Sequence, residues 1–194
     1  FWKRNDMQNE IRGHWYIKPR GFHPSWIVIH HSFSPDNRET RNWDSIRKYH
    51  MSYRYKGEIV SEEIYAQYLA DGKKIGLEAP WKDIGYNFGI ERVDGKIVIL
   101  DGRPIGDVGA HAIGFNANSI GICLIGNYDI ESPSEDRRAV LSSLCRDLKR
   151  EFNIPRDKVI GHRETFVKRG VAVEKSCPVS LLDMNAFRGK FIDF

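Results

Sequence analysis

Trp26-Ile27-Val28-Ile29-His30-His31 is an apolar run that ends in two imidazoles. Its composition, bulky and largely β-branched, is that of a central strand buried on both faces and not of a half-solvated edge. Successive side chains of a strand point to opposite faces, so only one of the two histidines can serve a given site. A similar run recurs at Ser119 to Ile125, and a shorter one spans Lys158 to Gly161, with His162 directly after it. Both His30 and His162 therefore stand at strand ends.

Helical spacing separates these strands. Trp43, Ile46 and Tyr49 mark a helix over 42–51, and a second is expected over 61–70 with Gly72 as its stop. Tyr86 to Glu91 and Lys96 to Leu100 flank Asp94-Gly95, the signature of a tight hairpin. Ser132-Pro133-Ser134-Glu135 reads as a helix start with Ser132 as cap and Pro133 in the first turn. Val140, Leu144, Leu148 and Phe152 then recur every four residues, with Leu141 and Cys145 beside them, until Pro155 forbids continuation. Ser180 and Asp183 suit the cap of a last helix that stops near Gly189. Strands and helices in this alternation predict an α/β fold with a central mixed β-sheet flanked by helices.

The chain has 194 residues, 41% of them hydrophobic, enough for one domain with a substantial core. Residues 1–24 read as an irregular arm, and 25–194 as the domain proper, with a charged, glycine-containing surface insertion at about 52–81. The net charge of +4 is dispersed, which suits an anionic surface but equally an ordinary solvated one, and no nucleic-acid partner is expected. No run approaches the roughly 20 apolar residues that cross a bilayer, so no integral membrane segment is expected. Phe1 to Arg12 is too polar for a signal peptide, but the sequence opens on Phe and not Met, so a removed leader and the localisation stay open. A monomer is the default expectation.

Of the three cysteines, Cys123 lies in an apolar strand and Cys145 on an apolar helix face, so both read as small core residues. Cys177 differs: it sits in the polar loop Lys175-Ser176-Cys177-Pro178, where a neighbouring ammonium favours the thiolate. His30, His162 and Cys177 together form a ligand set suited to Zn2+. Three protein ligands leave the fourth tetrahedral position for water, the pattern of a hydrolytic centre. Spacing alone leaves open a strand-end histidine with an ordinary hydrogen bond, a loop histidine and an unremarkable thiol.

The order of motifs narrows this choice. Val28 to Ser32 (VIHHS), Asp83 to Phe88 (DIGYNF), Asp94-Gly95-Lys96, Gly102-Arg103-Pro104, Gly109 to Asn116 (GAHAIGFN), Ser119 to Asn127 (SIGICLIGN), Gly161 to Glu164 (GHRE) and Lys175 to Pro178 (KSCP) follow one another. In this the chain resembles type-2 N-acetylmuramoyl-L-alanine amidases, a group that includes phage lysozymes of the amidase type and the peptidoglycan recognition proteins. The similarity covers roughly residues 24 to 190.

The resemblance implies a zinc amidase fold with a groove for a glycan and its stem peptide. It implies His30, His162 and Cys177 as zinc ligands, and Tyr86 and Lys175 as the catalytic tyrosine and lysine. The implied reaction is hydrolysis of the amide between N-acetylmuramic acid and L-alanine, with Lys175 facing the developing oxyanion. Tyr86 would hydrogen-bond the water or the tetrahedral intermediate and hand a proton to the departing amine. Arg103, His111 and Asn116 match positions near the substrate groove, and an arginine there suits a stem-peptide carboxylate. Glu164 suits either an orienting partner of His162 or a base. A catalytic domain of this kind without an anchor is expected of a bacteriolytic endolysin aimed at thin walls. Two rivals remain: a peptidoglycan-binding protein without hydrolysis, and a cysteine hydrolase pairing Cys177 with His162.

Overall fold

The computed structural model describes residues 23–33, 42–173, 177 and 181–191. The first strand, β1 (Trp26–His31), lies inside a five-stranded mixed sheet. Helix α1 (Trp43–His50) follows, and then β2 (Arg54–Tyr55), β3 (Glu58–Ile59), α2 (Glu62–Ala70) and β4 (Leu77–Glu78). The hairpin β5 (Phe88–Val93) and β6 (Lys96–Asp101), strand β7 (Ser119–Leu124) and helix α3 (Glu135–Phe152) come next. Strand β8 (Val159–Gly161) with helices α4 (His162–Lys168) and α5 (Met184–Phe191) completes the series. The large sheet has the order β6-β5-β7-β1-β8, parallel at every junction except the β5–β6 hairpin.

The two faces of this sheet carry different residues, as strand alternation requires. Ile27 and Ile29 of β1, Ile120, Ile122 and Leu124 of β7 and Ile90 of β5 pack with Leu141, Leu144, Leu148 and Phe187 in one core under α3 and α5. The opposite face bears Val28, His30 and Cys123, with glycines at 89 and 121. A Cβ on Gly89 would come within 2.5 Å of the Trp43 indole, and one on Gly121 within 2.6 Å of the His111 ring. Those glycines let two large rings lie flat on the strands. His31 confirms the alternation: its Nδ1 accepts from the Tyr128 N–H at 3.1 Å, on the α3 side.

The hairpin turn is as expected, with Asp94 and Gly95 both at positive φ, 49° and 79°. Helix α3 starts two residues later than the Ser132 cap suggests. Ser134 is the N-cap, but its hydroxyl donates to Asp136 and accepts from Arg92 instead of holding a helix N–H. Asn153 ends α3 in the left-handed conformation. Gly189 does not stop the last helix, which runs on to Phe191. Asp183 caps it, accepting from the N–H groups of Asn185 and Ala186. Ser180 and nearly all of the arm at 1–24 lie outside the described residues.

Residues 52–81 build a second, three-stranded antiparallel sheet, β3-β2-β4, with α2 against it. One buried cation fastens it to the domain. Arg54, 1% exposed, donates to the Tyr49 carbonyl and to Glu78, and its guanidinium lies over the rings of Tyr49 and Trp81. No described helix is long and apolar enough to cross a membrane.

Candidate functional site

His30, His162 and Cys177 converge on the face opposite α3. One ligand atom from each lies within 4.8 Å of the other two. His30 comes from the end of β1 and is 2% exposed, while the half-buried His162 opens α4 immediately after β8. Because β1 and β8 are adjacent and parallel, their carboxyl ends deliver both imidazoles to one place, with ring centroids 4.4 Å apart. The Cys177 sulfur sits 3.8 Å from His30 Nδ1, close to the roughly 3.5 Å that tetrahedral nitrogen and sulfur ligands of one zinc would keep. Two nitrogens and one sulfur are also the donor types zinc prefers. The geometry and the chemistry of the donors both fit that ion.

The sulfur is further held by the backbone. The His31 N–H donates to Cys177 Sγ at 3.3 Å, so the strand end supplies one candidate ligand by its side chain and steadies another by its main chain. Glu164 is engaged structurally. Its carboxylate accepts from the Gly161 N–H at 2.7 Å and takes a two-point ion pair from Arg188 at 2.9 and 3.0 Å. This anchors the first turn of α4, and so the backbone of His162, to α5. Arg188 was not evident from the sequence, since a lone arginine near the end of a helix carries no positional signal.

Tyr86 precedes β5 instead of lying within it. Its ring is 5.1 Å from that of His30. Burial, with the nearby thiols of Cys123 and Cys177 adding to it, raises the Tyr86 pKa well above the ordinary value, so its hydroxyl is a donor at neutral pH. His50, also missed in the sequence, stands behind it at 5.8 Å, stacked on Trp81 and accepting from the Gly85 N–H at 3.2 Å. Burial first, then Arg54 and Arg103, lowers its pKa to about 4. No local signal marks it, because His50 meets Gly85 from 35 positions away.

Arg103 spreads its guanidinium over three main-chain carbonyls, those of Ile84, Val108 and Asp83. Asn116 Oδ1 accepts from the N–H groups of His111 and Ala112 at 2.8 and 2.7 Å. His111 faces His30, with Nδ1 3.0 Å from His30 Nε2. Burial, followed by His162 and Arg103, lowers the His111 pKa to about 3, so this ring is neutral. Lys175 lies outside the described residues.

A family model described as N-acetylmuramoyl-L-alanine amidase matches residues 20–180. Among curated proteins, the chain is 37% identical over 89 residues to peptidoglycan-recognition protein LB of Drosophila melanogaster, covering 45% of this chain and 37% of that one. It is 29% identical over 106 residues to the endolysin of Enterobacteria phage K11, 52% of this chain and 62% of the phage protein. The matched segments thus span less than two thirds of these relatives. Among solved structures, the fold resembles that of an endolysin, the N-acetylmuramoyl-L-alanine amidase LysCS from Clostridium intestinale URNW. The two are 28% identical with a TM-score of 0.56, covering 87% of this chain and 84% of that one.

Proposed function

The chain belongs to the N-acetylmuramoyl-L-alanine amidase family, and on that premise we propose that it is a zinc-dependent peptidoglycan hydrolase. The bond cleaved is the amide joining the lactyl group of N-acetylmuramic acid to the L-alanine of the stem peptide. The convergence of His30, His162 and Cys177 carries this reading, because a protein that only binds peptidoglycan has no need of two imidazoles and a thiol around one point. Zinc held by these three supplies Lewis acidity to the amide carbonyl and acidity to a bound water.

The remaining work falls to the protein. In the reaction, the water oxygen bonds to the carbonyl carbon, the C–N bond breaks with its electron pair left on nitrogen, and a water proton ends on the amine. Tyr86, which keeps its own proton, is suited to donate a hydrogen bond to the oxygen that gains charge and to relay a proton to the departing nitrogen. Lys175 is assigned as the cation facing that same oxygen. For Arg103 and Asn116 the role toward substrate is to brace the 102–118 segment as one wall of the groove. His111 belongs to the same wall.

The test is product analysis by mass spectrometry, with purified sacculi and a soluble muropeptide offered to the zinc-loaded protein. Stem peptides with a free L-alanine amino terminus are expected. Intact substrate under metal-replete conditions would leave a binding protein in place of an enzyme.

A further inference from the structure

His30 has two ring nitrogens with different neighbours. Nδ1 faces the Cys177 sulfur, and Nε2 is turned away toward His111 Nδ1 at 3.0 Å. Beyond His111 the contacts continue: its Nε2 lies 3.4 Å from Ser119 Oγ, and that hydroxyl donates to the Phe115 carbonyl at 2.7 Å. The end of this chain fixes its direction. A carbonyl only accepts, so the serine proton is spent on Phe115 and its oxygen is left to accept from His111 Nε2–H. A neutral His111 protonated at Nε2 has a bare Nδ1, which accepts from His30 Nε2–H. The His30 Nδ1 lone pair is then directed at the point shared with Cys177.

The His111 ring is built into its place. Its backbone N–H is held by Asn116 Oδ1 at 2.8 Å. A Cβ on either Gly109 or Gly121 would approach the ring within 2.6 Å, so the slot admits no side chain at either position. Together they fix the ring where its Nδ1 meets His30.

We propose that His111 is a positioning residue that sets the tautomer and orientation of His30 through the chain His30–His111–Ser119–Phe115, and thereby tightens zinc binding. The proposal rests on the metal-site reading above. A histidine used this way replaces the carboxylate or carbonyl that more often receives the second N–H of a metal-bound imidazole.

The test is the zinc affinity of the full chain, measured by competition with a chromophoric chelator. His111→Phe keeps a ring and removes the acceptor; it is expected to weaken zinc binding by roughly 10- to 100-fold. His111→Asn places an amide oxygen near the lost Nδ1 and is expected to recover most of that loss. An unchanged affinity in a folded His111→Phe protein overturns the role of His111 while leaving the metal site standing. Failure of the unsubstituted protein to bind zinc overturns the metal site itself. If His111→Phe does not fold, nitrogen NMR of the unsubstituted zinc-bound protein decides: a proton on His30 Nε2 supports the proposal, and ligation through Nε2 overturns it.

Discussion

The Arg163 backbone N–H donates to the Cys177 carbonyl at 2.6 Å, so the residue carrying the sulfur is tied to the first turn of the helix that opens with His162. Two candidate ligands fifteen positions apart are thereby held as one unit. Cys177→Ser is expected to abolish turnover and to lower zinc affinity by more than the roughly 100-fold that loss of an outer partner costs. Chelation of the unsubstituted protein should silence it equally, with activity restored by zinc. A chelated enzyme that still turns over would instead mark Cys177 as a nucleophile.

Tyr86→Phe removes one hydroxyl and leaves the ring tilted beside that of His30. The expected effect is a fall in kcat of roughly 10²- to 10⁴-fold, with zinc content unchanged. Lys175→Ala should lower kcat by about 10²- to 10³-fold, the cost of losing one donor to an oxyanion. Steady-state kinetics on a soluble muropeptide, with metal analysis of each variant, checks both.

Arg103 reaches three main-chain carbonyls with one rigid planar fork, a spread that the compact ammonium of lysine does not reproduce. Arg103→Lys is expected to destabilise the protein by about 1–3 kcal/mol, since charged hydrogen bonds to partly buried carbonyls are lost. Urea denaturation measures this. A stability equal to that of the parent, with a raised KM, would instead assign the guanidinium to the substrate.

His50 gives the fold a pH dependence. Its folded pKa of about 4 lies below the ordinary histidine value of about 6.5, so the unfolded chain takes up the proton first as the pH falls. Stability is expected to be insensitive to this group above 6.5 and to decline between 6.5 and about 4, flattening below that. His50→Asn should remove that part of the decline. Denaturation midpoints at a series of pH values, compared between the two proteins, provide the measurement.

The sequence disclosed those parts of the fold whose signal is local and repeated. The β-branched run of β1, the four-residue period of α3 and the Asp94-Gly95 turn each specify their own geometry. The convergence of His30, His162 and Cys177 was legible because the motifs around them follow a family order and because their donor types suit one ion. The sheet β3-β2-β4 was not, as two-residue strands are too short for a period to show. The beginning of α3 was misplaced because two serines competed for the cap, and the one nearer the helix gave its hydroxyl to Asp136. The last helix runs two residues past Gly189, since one glycine costs a helix only a modest amount. Arg103 takes its direction from the carbonyls of Ile84 and Asp83, and His111 from the His30 ring and the slot between Gly109 and Gly121, contacts that no local pattern encodes.

Strand β1 pairs with β7 on one side and β8 on the other, with Ile27 opposite both Ile120 and Val159. This buried strand, second from the edge of the sheet, therefore waits on partners that leave the ribosome much later, and both its edges stay uncovered in the meantime. Slow folding and a vulnerability to aggregation during synthesis are built into this topology. A nascent chain arrested before residue 159 would hold β1 with one flank bare.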